Sequence, residues 1–251
     1  MIEGVIFDLG STLIYSDDDH RWGRILPRMR RDLYTELSSQ GYRLDERAFL
    51  NRFTENFQVF EDQRQANFVE YTIAFVLNRT LHELGAPPLQ GADLGRALQA
   101  YYAFSESRWR LMPGARETLA RLHGRGLHVG LLSNAADVAN VERLLDRFEL
   151  RAQLDPIVIS AAIGIRKPNP RAFEVVLNAW GLAPTSVVMI GDTLGADILG
   201  AQLAGLRHIW LTAQADHPAN VAHRDTIVPE ATAADLTQAA DLVSTWVRGN
   251  A

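Results

Sequence analysis

Two aspartates in this 251-residue chain stand where apolar segments end, and a third follows shortly after the second. Asp8 follows the apolar run Val5-Ile6-Phe7, and Asp192 follows the run at residues 187–190 and one glycine. Each run predicts a buried strand, and open α/β sheets bind ligands in the crevice at the carboxyl ends of their strands. Asp197 lies five residues after Asp192, beside a predicted helix start. A turn or capping role is the alternative for each of these three aspartates.

Three carboxylates gathered at one edge of a sheet need a cation. Two of them about 4 Å apart repel each other by roughly 4 kcal/mol at an effective dielectric constant of 20. The sequence has no cysteine, which excludes thiolate ligands and disulfide bonds. Because oxygen ligands with room for water suit Mg²⁺, convergence of Asp8, Asp192 and Asp197 predicts a magnesium site.

Two further polar positions adjoin predicted elements. Ser133 and Asn134 come directly after an apolar strand and before a helix, where Ser133 can cap the helix or bind an oxyanion. Lys167 is the single lysine among 25 basic residues, and it precedes a predicted helix start. Because the chain uses arginine elsewhere, the retained lysine indicates a place that requires a compact ammonium.

The elements that position these residues divide the chain into two kinds of segment. Residues 17–110 carry apolar side chains at three- and four-residue spacing and predict four helices. From Leu111 onward, alternating strands and helices predict right-handed crossovers and a mostly parallel sheet. We therefore expect a doubly wound α/β core over residues 1–16 and 111–251, with an inserted α-helical domain over residues 17–110. The predicted core elements are helix 115–122, strand 127–132, helix 137–148, strand 156–160, helix 170–180, strand 186–190, helix 196–203, strand 207–211, a short strand near 226–228 and helix 233–247.

Composition and charge narrow the classes of function. The formal net charge of −5 gives no electrostatic reason to bind nucleic acid. With no apparent leader segment and no apolar run of membrane-spanning length, the sequence predicts a cytoplasmic protein without a membrane partner. One basic cluster on a predicted helix is either a solvated face or an anion-binding patch. Its members are Arg21, Arg24, Arg28, Arg30 and Arg31.

Taken in order, the motifs resemble those of the haloacid dehalogenase superfamily of hydrolases. The matching stretches are Asp8–Thr12, Ser133, Lys167, Asp192–Asp197 and the flanking Leu111–Gly114. The resemblance spans essentially the whole chain. It implies a Rossmann-like core, an inserted helical cap that closes over the site, and hydrolysis of a small phosphorylated metabolite.

The resemblance also implies how that hydrolysis proceeds. Asp8 would attack phosphorus and form an aspartyl-phosphate. Ser133, Asn134 and nearby amides would hold the phosphoryl oxygens, and Lys167 would offset the charge of the nucleophile and the phosphate.

Two positions at or beside the implied metal ligands depart from the family pattern. Mg²⁺ would be bound by Asp8, Asp192 and the backbone carbonyl of Gly10, with Asp197 as a further ligand or as a neighbour that orients the ligands. Most phosphatases of this family have a second aspartate in place of Gly10, which protonates the leaving group and then activates water. Glycine keeps the carbonyl but supplies no such group, which usually contributes about 10²–10⁴ in rate. Ser11 also stands where glycine is common.

Three interpretations follow from the departure at Gly10. The first is a phosphatase for good leaving groups, or one whose cap or substrate supplies the proton. The second is a metal-independent haloacid dehalogenase, which is disfavoured because such enzymes have a tyrosine two positions after the nucleophile and lack the acidic pair. The third is a phosphate-binding or interaction protein without catalysis. The nearby candidate proton donors, for which a hydrated acidic turn is the alternative, are Asp17, Asp18, Asp19 and His20.

Overall fold

The structure, a computed structural model, describes residues 1–16 and 22–247. The strands in these ranges are β1 Gly4–Phe7, β2 Ile14–Ser16, β3 Trp109–Leu111, β4 His128–Ser133, β5 Ile157–Ile159, β6 Val187–Gly191, β7 Arg207–Leu211 and β8 Ala231–Ala233. The α-helices are α1 Trp22–Ser39, α2 Glu46–Asn67, α3 Ile73–Glu83, α4 Gly91–Arg108, α5 Ala115–His123, α6 Val138–Arg147, α7 Ser160–Ile163, α8 Pro170–Trp180, α9 Leu199–Ala204, α10 Pro218–Val221 and α11 Leu236–Val247. None of these helices has both the length and the apolar character that a membrane crossing requires.

Six parallel strands form the central sheet in the order β5-β4-β1-β6-β7-β8. Phe7 of β1 pairs with Leu131 on one side and with Ile190 on the other. Alternate residues of a strand face opposite sides of a sheet. Val5 and Phe7 join the core formed with α5, α6 and α11, whereas Ile6 joins the core formed with α8 and α9. Helices therefore cover both faces, which confirms the predicted doubly wound α/β fold.

The four helices α1–α4 enclose a separate apolar core, and we call them the cap. Asp45 begins α2 by accepting a hydrogen bond from the backbone N–H of Ala48 at 2.8 Å, as a helix N-cap does. The presence of four helices here confirms that prediction, while the limits of the two domains stay a prediction. Fully buried members of the cap core include Leu33, Phe49, Phe53, Leu77 and Tyr101.

A two-stranded antiparallel ribbon, which the sequence did not predict, joins the cap to the core. In it β2 pairs with β3, so that Ile14 lies opposite Leu111 and Ser16 lies opposite Trp109. Strands of three residues are too short to show a periodic pattern in the sequence. The ribbon places the two connections between the core and the cap side by side, next to the end of β1.

The predicted strand near residues 226–228 is wrong. Ile227 is instead buried in a small cluster that includes Trp210. The strand that pairs with the outer side of β7 is β8, where Ala231 lies opposite Ile209. Strands favour β-branched residues, whereas two of the three residues of β8 are alanines, so the residue types do not indicate this strand. Its pairing therefore depends on the sheet edge that β7 offers.

The described part of the basic cluster favours a solvated helix face. Arg28 pairs with Asp32 at 2.8 Å, and Arg31 lies 3.9 Å from Glu46, with both arginines exposed. Arg30 stacks over the ring of Phe57. Several candidates from the sequence lie outside the described residues, namely Asp17, Asp18, Asp19, His20, Arg21 and the side chain of Arg24.

Candidate active site

The carboxyl ends of β1, β4 and β6 open into a cavity of about 730 Å³, which we call the acidic cavity. The backbone N–H of Asp8 donates to the carbonyl of Ile190 at 3.0 Å, which extends the ladder one residue beyond β1. Neighbouring parallel strands end at the same edge, so residues that follow them meet there. The lining includes every site residue predicted from the sequence: Asp8, Gly10, Ser133, Asn134, Lys167, Asp192 and Asp197.

Lys167 places a buried ammonium among these carboxylates. Its Nζ lies 2.6 Å from Asp8 Oδ1 and 2.7 Å from Asp197 Oδ1, and it donates to the carbonyl of Leu132 at 2.6 Å. Burial disfavours the charged form, but the carboxylates of Asp197 and Asp8 overcome it and raise the pKa of Lys167. The ammonium is therefore charged at neutral pH and is held by three oxygens.

The loop that carries Lys167 is held by Asn134. The Asn134 Nδ2 donates to the carbonyl of Lys167 at 2.9 Å, and the backbone N–H of Lys167 donates to Asn134 Oδ1 at 2.8 Å. Both ends of the amide thus position Lys167. The predicted contacts of Asn134 and of the buried Ser133 with a phosphoryl group stay predictions.

The three aspartates are close enough to share one ligand. One oxygen from each of Asp8, Asp192 and Asp197 lies within 4.8 Å of the others. Burial raises the pKa of Asp8 to about 6, against the lowering effect of Lys167, and the Asp197 charge adds to the rise. Burial, and then the Asp197 and Asp8 charges, raise the pKa of Asp192 well above its ordinary range. Negative charge is therefore unfavourable here without a further cation.

The donor set fits a hard divalent cation. Asp197 has both oxygens engaged, because Oδ1 faces Lys167 and Oδ2 accepts from the backbone N–H of Thr193 at 2.9 Å. The buried Asp192 differs, since the hydroxyls of Thr12 and Thr193 stand 3.4 Å from its oxygens, longer than ordinary O–H···O bonds. Three carboxylates against one ammonium leave a formal excess of two negative charges. Oxygen donors with this excess suit Mg²⁺.

Two side chains that the sequence did not mark hold the main chain of Asp192. Trp210 Nε1 and Asn220 Nδ2 donate to its carbonyl at 2.8 and 2.9 Å. Asn220 Oδ1 also accepts from the backbone N–H of Leu194 at 2.8 Å. Both side chains are buried, and neither belongs to a motif near Asp192 in the sequence. They fix the loop that carries the carboxylate, as outer neighbours of metal ligands do.

The backbone at residue 10 has room for a side chain. The φ of Gly10 lies outside the left-handed region, and a β-carbon there would meet only Trp109, at 3.6 Å. An aromatic ring therefore stands beside the position where the family resemblance implies an aspartate in most phosphatases. The left-handed residue is Ser11, with a φ of 56°. Glycine adopts this conformation without strain, so Ser11 is a residue other than the one that this backbone favours.

The cap and the segment after β7 complete the cavity wall. The cap loop contacts the core directly, since the backbone N–H of Arg166 donates to the carbonyl of Phe68 at 3.0 Å. No spacing in the sequence links these regions to the aspartates, so they could not be found from motifs. The additional lining residues include Arg64, Gln65 and Phe68 of the cap, and Gln214, His217 and His223 after β7.

The proteins of known activity that this chain resembles include two phosphatases. A phosphoserine phosphatase of Thermus thermophilus is 35% identical over 136 residues, which are 54% of this chain and 53% of that protein. A glyceraldehyde 3-phosphate phosphatase of Pyrococcus abyssi is 26% identical over 210 residues, which are 84% of this chain and 81% of that protein. The chain thus spans about half the length of the Thermus relative.

Solved structures share the fold, and a family model matches most of the chain. A 2-haloacid dehalogenase of Pseudomonas syringae superposes with a TM-score of 0.67 at 24% identity, over 98% of this chain and 100% of that chain. A HAD phosphatase of Thermococcus onnurineus gives 0.65 at 16% identity, over 96% and 98%. At these identities the likeness is one of fold. The model for haloacid dehalogenase-like hydrolases matches residues 2–205, a range that contains all the predicted site residues, and the chain therefore belongs to that family.

Proposed function

We propose that the protein is a Mg²⁺-dependent phosphatase that hydrolyses a small phosphate monoester with Asp8 as the nucleophile. The observation that carries this proposal is the Asp8 carboxylate at the end of the central strand, with Lys167 on one oxygen and Asp192 close by. Curated relatives named as phosphatases agree with it. Because its pKa is about 6, Asp8 is mostly ionised at neutral pH and available for attack.

The reaction divides into two displacements at phosphorus. In the first, an oxygen of Asp8 bonds to phosphorus, the ester P–O bond breaks, and the leaving oxygen takes a proton from solvent. In the second, water bonds to phosphorus, the bond to Asp8 breaks, and inorganic phosphate leaves. Throughout, Lys167 offsets the negative charge, and the Ser133 hydroxyl with nearby amides holds the phosphoryl oxygens.

Asp8, Asp192 and the carbonyl of Gly10 are the proposed ligands of Mg²⁺. When bound, the ion draws negative charge from the phosphoryl oxygens. Asp197 has both oxygens engaged with Lys167 and Thr193, so its proposed role is to hold the ammonium beside the nucleophile.

The test is a turnover screen with Mg²⁺ against acetyl, phenyl and primary alkyl phosphates, run beside 2-chloropropionate without metal. We expect phosphate release that a chelator removes and Asp8→Asn abolishes, and no chloride release. Undiminished phosphate release in Asp8→Asn, or in excess chelator, would contradict the proposal.

A second candidate is a phosphate-binding protein without turnover. Gly10, with the Trp109 ring beside it, favours this alternative because no proton-transfer group stands there. Beryllofluoride, which imitates a phosphoryl group on a carboxylate, separates the two. Tight beryllofluoride binding that depends on Asp8, without release of phosphate from any ester, would support binding over catalysis.

A further inference from the structure

A second cavity, of about 590 Å³, borders the acidic cavity on the side of the cap, and we call it the cap cavity. The two cavities share Arg64, Asn134 and Arg166 in their walls. Pockets that hold small organic molecules have volumes of about 300–1,000 Å³. The organic part of an ester whose phosphoryl group lies at Asp8 therefore has this space next to it.

The walls of the cap cavity are mostly apolar and aromatic. Burial raises the pKa of Tyr101 to about 12 and that of Tyr102 well above its ordinary value, so both phenols are uncharged at neutral pH. Apolar surface and aromatic rings bind a ligand of the same character by removing it from water. The cap side chains in the wall include Leu26, Met29, Phe57, Ile73, Tyr101 and Tyr102.

The charged groups of the cap cavity neutralise one another. Arg64 is 3% exposed and pairs with Glu61 at 2.8 Å and with Glu70 at 3.0 Å. Glu70 also accepts from the Ser160 hydroxyl at 2.7 Å and lies 3.8 Å from Arg166. Two arginines thus face two glutamates. Among the described residues of this wall, no charge is left over for a carboxylate or an ammonium on a ligand.

Residue 10 provides an independent observation about the leaving group. No side chain at Gly10 donates a proton, and the ring of Trp109 lies beside it. An ester without a proton donor reacts faster when its alcohol is acidic, because the departing oxygen carries its own negative charge well. A phenol is far more acidic than a sugar or serine hydroxyl, and its ring is apolar.

From these two observations we propose that the substrate is a phosphate monoester of an apolar, aromatic alcohol, with its ring in the cap cavity and its phosphoryl group at Asp8. The inference rests on the proposed phosphatase function and specifies the substrate class. Arg64 and Arg166 belong to the walls of both cavities, and both lie beside the carboxylate of Glu70.

The test separates the fit of the ring from the acidity of the alcohol. Benzyl phosphate and glycerol 3-phosphate both release a primary alcohol, so their difference reports the cap cavity. We expect kcat/KM for benzyl phosphate to exceed that for glycerol 3-phosphate by about 10- to 100-fold, which is the gain from burying one aromatic ring. Phenyl phosphate should be faster again, because it adds the better leaving group. Equal rates, or a preference for glycerol 3-phosphate, would overturn the inference.

A pair of alanine variants locates the ring. Ala136 and Ala74 are both half-buried alanines packed against the cap core, but only Ala136 lines the cap cavity. Ala136→Leu should lower the ratio of kcat/KM for benzyl over acetyl phosphate about tenfold, because the added methyl groups occupy the ring's space. Ala74→Leu should keep that ratio, and an equal effect of both variants would contradict the assignment.

A binding measurement keeps the inference separate from catalysis. Benzylphosphonate cannot be hydrolysed, and calorimetry should show that it binds at least about tenfold more tightly than methylphosphonate. If no ester is hydrolysed while this preference persists, the phosphatase proposal fails and the cap cavity assignment holds. If acetyl phosphate is hydrolysed and the preference is absent, the phosphatase proposal holds and the cap cavity assignment fails.

Discussion

The acidic cavity and the cap cavity both contain buried charges, but only the cap cavity balances them. In the cap cavity, Arg64 and Arg166 face Glu61 and Glu70, and Arg64 and Glu70 are almost completely buried. In the acidic cavity, Lys167 pairs with Asp8 and Asp197, and among the described residues no ion pair balances Asp192. The first arrangement is complete without a ligand, whereas the second has an excess of negative charge.

This difference separates what the two regions contribute. A closed network of buried ions contributes a fixed geometry and little attraction for a charged ligand. An open cluster of carboxylates costs stability until a cation offsets its charge, and a cation held in this way can stabilise a negatively charged ligand. The acidic cavity is thus suited to chemistry, and the cap cavity to the selection of an uncharged organic group.

The largest expected effect is on the closed network. Glu70→Gln should lower the free energy of unfolding by about 3–5 kcal/mol, because it leaves the buried Arg64 without its most buried partner. Glu61→Gln is the control, since Glu61 pairs with the same arginine but is 33% exposed, and it should cost about 1 kcal/mol or less. Denaturant unfolding measures both. Similar costs for the two variants would show that the network is not closed around Glu70.

The second largest expected effect concerns Lys167, the ammonium of the acidic cavity. Lys167→Arg should lower kcat/KM by about 10²–10³-fold and impair beryllofluoride binding, although the charge is conserved. The reason is spatial, because three oxygens stand 2.6–2.7 Å from Nζ and leave no room for a planar guanidinium. Thermal unfolding of the variant checks its fold. Unchanged beryllofluoride affinity in a folded variant would make the single lysine an accident of composition.

A pH series in chelator should show the open cluster as a stability cost. Folded Asp8 holds its proton up to about pH 6, whereas the unfolded chain releases it near 3.8. The folded state therefore binds more protons between these values, and the free energy of unfolding falls as pH rises through them. The expected contribution is about 3 kcal/mol.

The readout of this series is the difference between the wild type and Asp8→Asn, because other carboxyl groups titrate in the same range. The wild type should lose stability relative to the variant as pH rises from about 4 to about 6. Mg²⁺ should restore it at neutral pH. A difference that stays flat across this window would refute the account of Asp8.

The smallest expected effect concerns the support of Asp192. Trp210→Phe removes one hydrogen bond to its carbonyl and should weaken Mg²⁺ binding about fivefold by calorimetry. Trp180→Phe is the matched control, because Trp180 donates to the carbonyl of Asp155 at the same 2.8 Å away from the cavity. Equal Mg²⁺ affinities in the two variants would mean that the Asp192 loop keeps its position without Trp210.

The same comparison shows what the sequence could predict. The acidic cavity follows from local patterns, because each apolar strand that ends in a polar residue lies in the same parallel sheet. The network of charged groups in the cap cavity does not follow from local patterns. Glu70 and Ser160, for example, are 90 residues apart and meet only through tertiary packing. Short strands such as Ala231–Ala233 were missed for a related reason, because the partner strand and not the residue type decides their pairing.

The central claim is that the phosphoryl group moves from the ester oxygen to the carboxylate of Asp8, and one measurement tests it directly. The enzyme is mixed with phenyl phosphate and Mg²⁺, quenched in acid within the first turnovers, and digested for mass spectrometry. We predict a phosphoryl group on the peptide that contains Asp8, which disappears on longer incubation after substrate is exhausted and is absent in Asp8→Asn. Phosphate release without any adduct at Asp8, or an adduct on another residue, would contradict the account.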